Sequence, residues 1–156
     1  MAKYQHIINN HNRLRSMTGL TPEEFADLAG HFGHMFETYM ATHTMDGYIR
    51  EYRRYTPYRN SPLPTDEDKL LFILSFLRQN VIQEVHGQIF SMSQSNVSKW
   101  AHILHEVLNR TLAAQQLLPA RTAAAMGVEM AASDGLPSTD SPLFITTGLN
   151  DRSIAR

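Results

Sequence analysis

The run Leu70-Leu71-Phe72-Ile73-Leu74-Ser75-Phe76-Leu77 constrains the fold of this chain more than any other segment. It follows Thr65-Asp66-Glu67-Asp68, an N-cap with acids in the first turn, where carboxylates suit the positive end of a helix dipole. Its apolar residues cover most of a helical circumference, so this helix must sit at the centre of a core built from other helices. No strand pattern of useful length and no internal repeat occurs in the chain. The reading is an all-α helical bundle.

Upstream, Thr21-Pro22-Glu23-Glu24 combines an N-cap, a proline at the first helical position and a capping box. Phe25, Leu28, Phe32, Met35, Phe36 and Tyr39 follow at helical spacing, which predicts a helix to about Thr42. Gly30 and Gly33 lie inside it and point to a close helix crossing. Pro62 and Pro64 cannot lie in a helix interior, so they separate this helix from the central one. Downstream, the pattern predicts a short helix over Ile82–Phe90, a break at Ser91-Met92-Ser93 and a long helix from about Gln94 to Gln116, with Pro119 beyond its end. Thr122–Ala132 is Ala-rich and reads as one more helix; from Ala132 the Ser, Asp, Gly, Pro and Thr content predicts a flexible C-terminal tail. Four parts follow: an acidic helical segment 1–49, a basic Arg/Tyr/Pro connection 50–64, a core 65–121, and an Ala-rich segment with the tail, 122–156.

The 156 residues correspond to one domain, or one domain with short appendages. With no cysteine, a disulfide scaffold, a thiolate zinc or iron–sulfur site and a cysteine nucleophile are excluded. There is no run of about 18 apolar residues, and the N-terminus lacks the apolar core of a signal peptide. The expectation is a soluble cytoplasmic protein without a membrane partner. A net charge of -1 argues against a uniformly basic coat. That charge is unevenly spread. From Thr21 to Ile49 every ionised side chain is acidic, whereas Arg50-Glu51-Tyr52-Arg53-Arg54-Tyr55-Thr56-Pro57-Tyr58-Arg59 sets four arginines and three tyrosines against one glutamate. Such a segment suits phosphates with stacking surfaces nearby; the alternative is a solvated linker.

Glu84 to Trp100 reads as a helix-turn-helix. That motif needs a small residue where two helices cross, a short turn, and apolar residues that lock the second helix onto the first. Gly87 supplies the first; Phe90 and Met92 flank the turn; Val97 and Trp100 face Val85, Ile89 and the central helix. Ser93 is the natural N-cap of the second helix. Gln94, Ser95, Asn96, Ser98, Lys99 and His102 are left outward, all hydrogen-bonding or basic, with no acid before Glu106. Asn and Gln can pair with adenine, Ser can take either role, and Lys reaches guanine or phosphate. The competing reading is a helical hairpin used only for packing.

Leu63-Pro64-Thr65-Asp66-Glu67-Asp68-Lys69-Leu70-Leu71-Phe72-Ile73-Leu74, with the helix-turn-helix through Lys99-Trp100 and His105, resembles the N-terminal DNA-binding region of bacterial insertion-sequence transposases of the DDE superfamily. The resemblance covers roughly residues 21–131 and implies binding to the terminal inverted repeats of an element. In that family a catalytic domain with three carboxylates and two divalent metals follows, opened by an Asp-Gly-Thr-Glu-Arg-Pro-Ile-like segment. Here Ser141 to Arg156 contains no such motif. A back-translation of Ile145 to Ala155 with permitted codons reads His-Asp-Gly-Thr-Glu-Arg-Pro-Ile-Asp-Arg from its third nucleotide. We therefore expect an overlapping frame that encodes the catalytic domain, joined by frameshifting or severed by mutation; an unrelated downstream DNA sequence would refute this.

No catalytic residue is expected in this chain. His31 and His34 with Glu37, and His102 and His105 with Glu106, have spacings that can bind zinc or nickel, but neither matches His-Glu-x-x-His, and incidental surface pairs are commoner. Asp134 and Asp140 lie in the tail, without a scaffold to hold two metals. The expectation is no cofactor and no metal. Gln94, Ser95, Asn96, Ser98, Lys99 and His102 are the predicted base contacts, and Arg50, Arg53, Arg54 and Arg59 the predicted phosphate contacts. Double-stranded DNA is the principal expected partner; a homodimer and the catalytic product of the second frame are the others. The alternatives are an interaction module that docks through the acidic helix, and a stand-alone repressor of the element.

Overall fold

The computed structural model describes residues 2–118, which form six helices: α1 (Tyr4–Ile7), α2 (His11–Thr18), α3 (Pro22–Thr42), α4 (Asp66–Gln79), α5 (Gln83–Phe90) and α6 (Gln94–Ala114). Among the described residues the only strand-like pairing is one isolated antiparallel bridge, His43 to Ile49. The all-α expectation is met. The Ala-rich segment Thr122–Ala132, the tail and the out-of-frame motif lie outside the described residues.

α4 holds the central place its composition demands. Leu70, Leu71, Phe72 and Ile73 are each fully buried, and α1, α2, α3 and α6 all pack against the helix. Each such side chain removed from water contributes about 1.5–3 kcal/mol. The helix starts where the sequence says: Thr65 Oγ1 accepts from the Asp68 amide at 3.1 Å. Asn80 ends it in the left-handed conformation. Leu77, on its last turn, is exposed rather than in the core.

α3 carries the expected capping box. Thr21 Oγ1 accepts from the Glu24 amide at 3.3 Å, and Glu24 Oε2 from the Thr21 amide at 2.9 Å. Its two glycines behave differently. A Cβ on Gly33 would stand 2.5 Å from Asp66 Oδ2, at the crossing with α4, whereas a Cβ on Gly30 would meet nothing within 4 Å among the described residues. The close crossing therefore belongs to Gly33 alone.

Two short helices precede the acidic one. Asp68, almost fully buried in the first turn of α4, accepts from the Tyr4 amide at 2.8 Å, and the Tyr4 ring stacks on Phe25 at 4.9 Å. The Ala2 amide donates to the Ile89 carbonyl at 2.8 Å, at the end of α5. Through these contacts the N-terminal residues tie α3, α4 and α5 together. One hydrophobic core runs from Ile7 to Leu108, so the acidic segment and the helix-turn-helix region are halves of the same packing unit.

Candidate DNA-binding site

The turn between α5 and α6 is fixed by its backbone. Ser91 takes the left-handed conformation (φ 56°), and the Met92 amide donates to the Gly87 carbonyl at 2.9 Å. A Cβ on Gly87 would stand 2.5 Å from the Met92 carbonyl oxygen and 3.2 Å from Val97 Cγ2, so only glycine lets the turn fold back this closely. Phe90 and Val97 are fully buried, Trp100 nearly so, and Met92 is half-buried. Val85 is 39% exposed, against the expectation that it faces the second helix. The buried stripe of α5 is His86, Gly87 and Phe90, and Val85 lies about 100° round the helix from His86. Trp100 finds its aromatic partner elsewhere, on Phe36 of α3 at 6.4 Å.

Ser93 caps α6 by accepting from the Asn96 amide at 3.4 Å. Gln94, Ser95, Asn96, Ser98, Lys99 and His102 are all exposed, and the first turn carries no acid. The helix thus presents hydrogen-bonding side chains together with the positive end of its dipole. Sequence reasoning missed the neighbour of Lys99: Asp46 Oδ1 lies 3.8 Å from its Nζ. Both groups are largely exposed, so the pair is weak and screened by salt.

The arginines fall into two groups. Arg50 is half-buried and its guanidinium is spent on its own backbone: Nε donates to the Met40 carbonyl at 3.0 Å, one terminal nitrogen to the His43 carbonyl at 3.0 Å, and the other to the Arg53 carbonyl at 2.8 Å. Met40 lies in the last turn of α3 and His43 is its C-cap, so a cation here satisfies terminal carbonyls and complements the dipole. Arg53, Arg54 and Arg59 are exposed. Tyr55 anchors the segment edge-on to Phe36 at 5.8 Å, and its hydroxyl pKa is raised, first by burial and then by the Asp66 carboxylate. Phe36 therefore touches both Tyr55 and Trp100, which joins the arginine segment to the helix-turn-helix through one side chain. A groove of about 660 Å³ runs between this segment and α3, with Phe36, Tyr55, Arg53 and Arg54 among its walls.

His86 stands behind the turn, fully buried against Phe72, Phe76 and Phe90 at ring distances of 4.7, 5.2 and 4.9 Å. Its Nε2 lies 3.2 Å from the Phe72 carbonyl, which can only accept, so Nε2 carries the proton. Nδ1 has no partner. Burial pushes the pKa below the ordinary value, partly opposed by the hydrogen bond to Phe72. His31, His34 and Glu37 on α3, and His102, His105 and Glu106 on α6, form no metal-holding cluster; among the described residues there is none.

Residues 61–114, from the end of the arginine segment through α6, match the family model described as helix-turn-helix of DDE superfamily endonuclease. Over these residues, about a third of the chain, the protein is similar to that helix-turn-helix family. No curated protein and no solved structure matches the chain. The match spans α4, α5 and α6, so this DDE-type helix-turn-helix includes the central helix as its first element. α3, which lies outside the matched residues, supplies Phe36 beneath Trp100. Among the described residues no helix is long and apolar enough to cross a membrane.

Proposed function

We propose that this chain binds the terminal inverted repeats of a transposable element as the DNA-reading part of a transposase, with strand chemistry performed by residues outside it. One observation carries the reading: the six solvent-facing side chains that open α6 are all hydrogen-bonding or basic, on a helix seated by a glycine-dependent turn of the DDE type. Gln94, Ser95, Asn96, Ser98 and Lys99 reach base edges in the major groove, with His102 at the far end of the contact. Arg53, Arg54 and Arg59 hold the flanking phosphates, and Arg50 keeps their segment in place more than it reaches DNA itself.

The experiment is a gel shift with duplex DNA from the ends of the element and a scrambled duplex of equal length, at two salt concentrations. The expected result is a preference for the end sequence of at least about 10³-fold, the lower range for specific readers. Equal affinity for both duplexes refutes sequence-specific reading, and no shift with either refutes DNA binding altogether.

A further inference from the structure

Between α3 and the arginine segment the chain folds into a small hairpin, Thr42 to Arg50. The Arg50 amide donates to the Thr42 carbonyl at 2.8 Å, the Thr44 amide to the Tyr48 carbonyl at 2.8 Å, and the Gly47 amide to the Thr44 carbonyl at 3.0 Å. Thr44 Oγ1 also accepts from the Tyr48 amide at 3.2 Å, and Gly47 takes the positive φ (83°) that the tip requires. The base is clamped by the Arg50 guanidinium, and the His43 ring stacks on Tyr39 at 4.4 Å. This is a braced loop, and it holds two large apolar side chains out in solvent: Tyr48 is 74% exposed and Ile49 77%.

We propose that this hairpin is a second DNA-contacting element, which places Tyr48 and Ile49 in the minor groove flanking the major-groove site of α6. The proposal rests on the DNA-binding reading above. Its location carries it: Asp46, at the tip, lies 3.8 Å from Lys99, one of the outward residues of α6, so a duplex lying on α6 passes the hairpin at its flank. The chain runs from the hairpin directly into exposed Arg53 and Arg54, whose charge suits the phosphates on either side of such a contact. Asp46 is acidic, which makes the tip a poor phosphate clamp and leaves apolar insertion as its mode of contact. Isoleucine is among the residues that wedge into minor grooves, and a tyrosine adds a flat ring with a hydroxyl that reaches phosphate.

The test compares wild-type protein with the double variant Tyr48→Ala/Ile49→Ala, with Ile49→Glu, and with Leu117→Ala as a control. Leu117 is an exposed apolar residue past the other end of α6, roughly 30 Å along the helix. Binding to the end duplex is measured by fluorescence anisotropy over a salt series, with hydroxyl-radical footprinting. The double variant is expected to bind at least tenfold more weakly with an unchanged salt slope, because an apolar contact releases no counterions. It should also lose protection on one flank. Ile49→Glu should bind more weakly still, and Leu117→Ala as wild type. Wild-type affinity in the double variant and in Ile49→Glu overturns the proposal while leaving the α6 reading intact. Loss of self-association in DNA-free light scattering, with affinity falling only in step, also overturns it and assigns the tip to a second copy of the chain. A wild-type protein that binds no duplex overturns both readings.

Discussion

The Met92 carbonyl oxygen occupies the space where a β-carbon on Gly87 would need to be, at 2.5 Å. Because the obstacle is backbone and is held by the hydrogen bond from the Met92 amide to the Gly87 carbonyl, it cannot turn aside as a side chain would. Gly87→Ala gains up to about 1 kcal/mol of helix propensity. The clash outweighs this, since overpacking a tight site costs about 1–3 kcal/mol and here also displaces the turn that seats α6. Gly30→Ala makes the opposite case: among the described residues nothing lies within 4 Å, so the propensity gain of about 0.5–1 kcal/mol is expected in full. Urea denaturation of both variants checks the pair. Gly87→Ala should have a lower midpoint and Gly30→Ala a higher one, and any other order refutes the account of the turn.

Arg50 fixes three carbonyls from two parts of the chain, so its loss should be felt in stability before it is felt in DNA affinity. Hydrogen bonds to a charged group are worth about 1.5–3 kcal/mol each in favourable settings, and the half-exposure of this site argues for the lower end in total. Arg50→Lys should recover little, because an ammonium cannot spread its donors over three carbonyls as a planar fork does. Thermal unfolding of Arg50→Ala and Arg50→Lys measures this. A lysine variant as stable as wild type would show that charge alone, and not the fork, is what the site needs.

Much of this architecture was legible in the sequence because the signals are local. Thr21-Pro22-Glu23-Glu24 and Thr65-Asp66-Glu67-Asp68 set two helix starts by capping chemistry, and Gly87 with Val97 and Trp100 set the helix-turn-helix by spacing. The helices before Thr21 were not legible: α2 buries only Leu14, Met17 and Thr18, and α1 only Ile7, so neither carries a periodic stripe long enough to read. Their stability comes from distant partners such as Asp68 for Tyr4. The internal employment of Arg50 left no trace either, since an arginine that caps its own helix looks like one that waits for phosphate. The Asp46-Gly47 pair could have announced the hairpin, because Asp-Gly is a strong short-range turn signal.

His86 makes the stability of the fold depend on pH. Burial lowers its pKa in the folded protein relative to the ordinary value of 6.5. Above about pH 6.5 both folded and unfolded chains hold it neutral, and it contributes no pH dependence. As pH falls below that, the unfolded chain takes up a proton that the folded one refuses, so stability falls until the pH reaches the depressed folded value. His86→Leu should remove this contribution, while the Phe72 carbonyl keeps its hydrogen bond from Ser75 Oγ at 3.1 Å. Denaturation midpoints from pH 7.5 to 5 should fall less steeply in the variant. Equal slopes would show that His86 becomes protonated inside the fold.

The two arginines past the hairpin and the asparagine on α6 should fail in distinguishable ways. Arg53 and Arg54 are exposed on a segment anchored by Tyr55, and neither reads sequence if it meets only phosphate. Arg53→Ala/Arg54→Ala should weaken binding to end and scrambled duplexes alike and reduce the salt slope by roughly 0.9 for each phosphate no longer neutralised. Asn96, exposed in the first turn of α6, offers the paired donor and acceptor that match adenine. Its backbone amide still bonds Ser93 Oγ whatever its side chain, so Asn96→Ala leaves the cap in place. The variant should lose about 1–3 kcal/mol of discrimination at one base pair with the salt slope unchanged. Anisotropy titrations of both variants on end, singly substituted and scrambled duplexes separate the outcomes. If Asn96→Ala instead loses affinity equally for every duplex, the outward face of α6 holds the backbone and the sequence is read elsewhere.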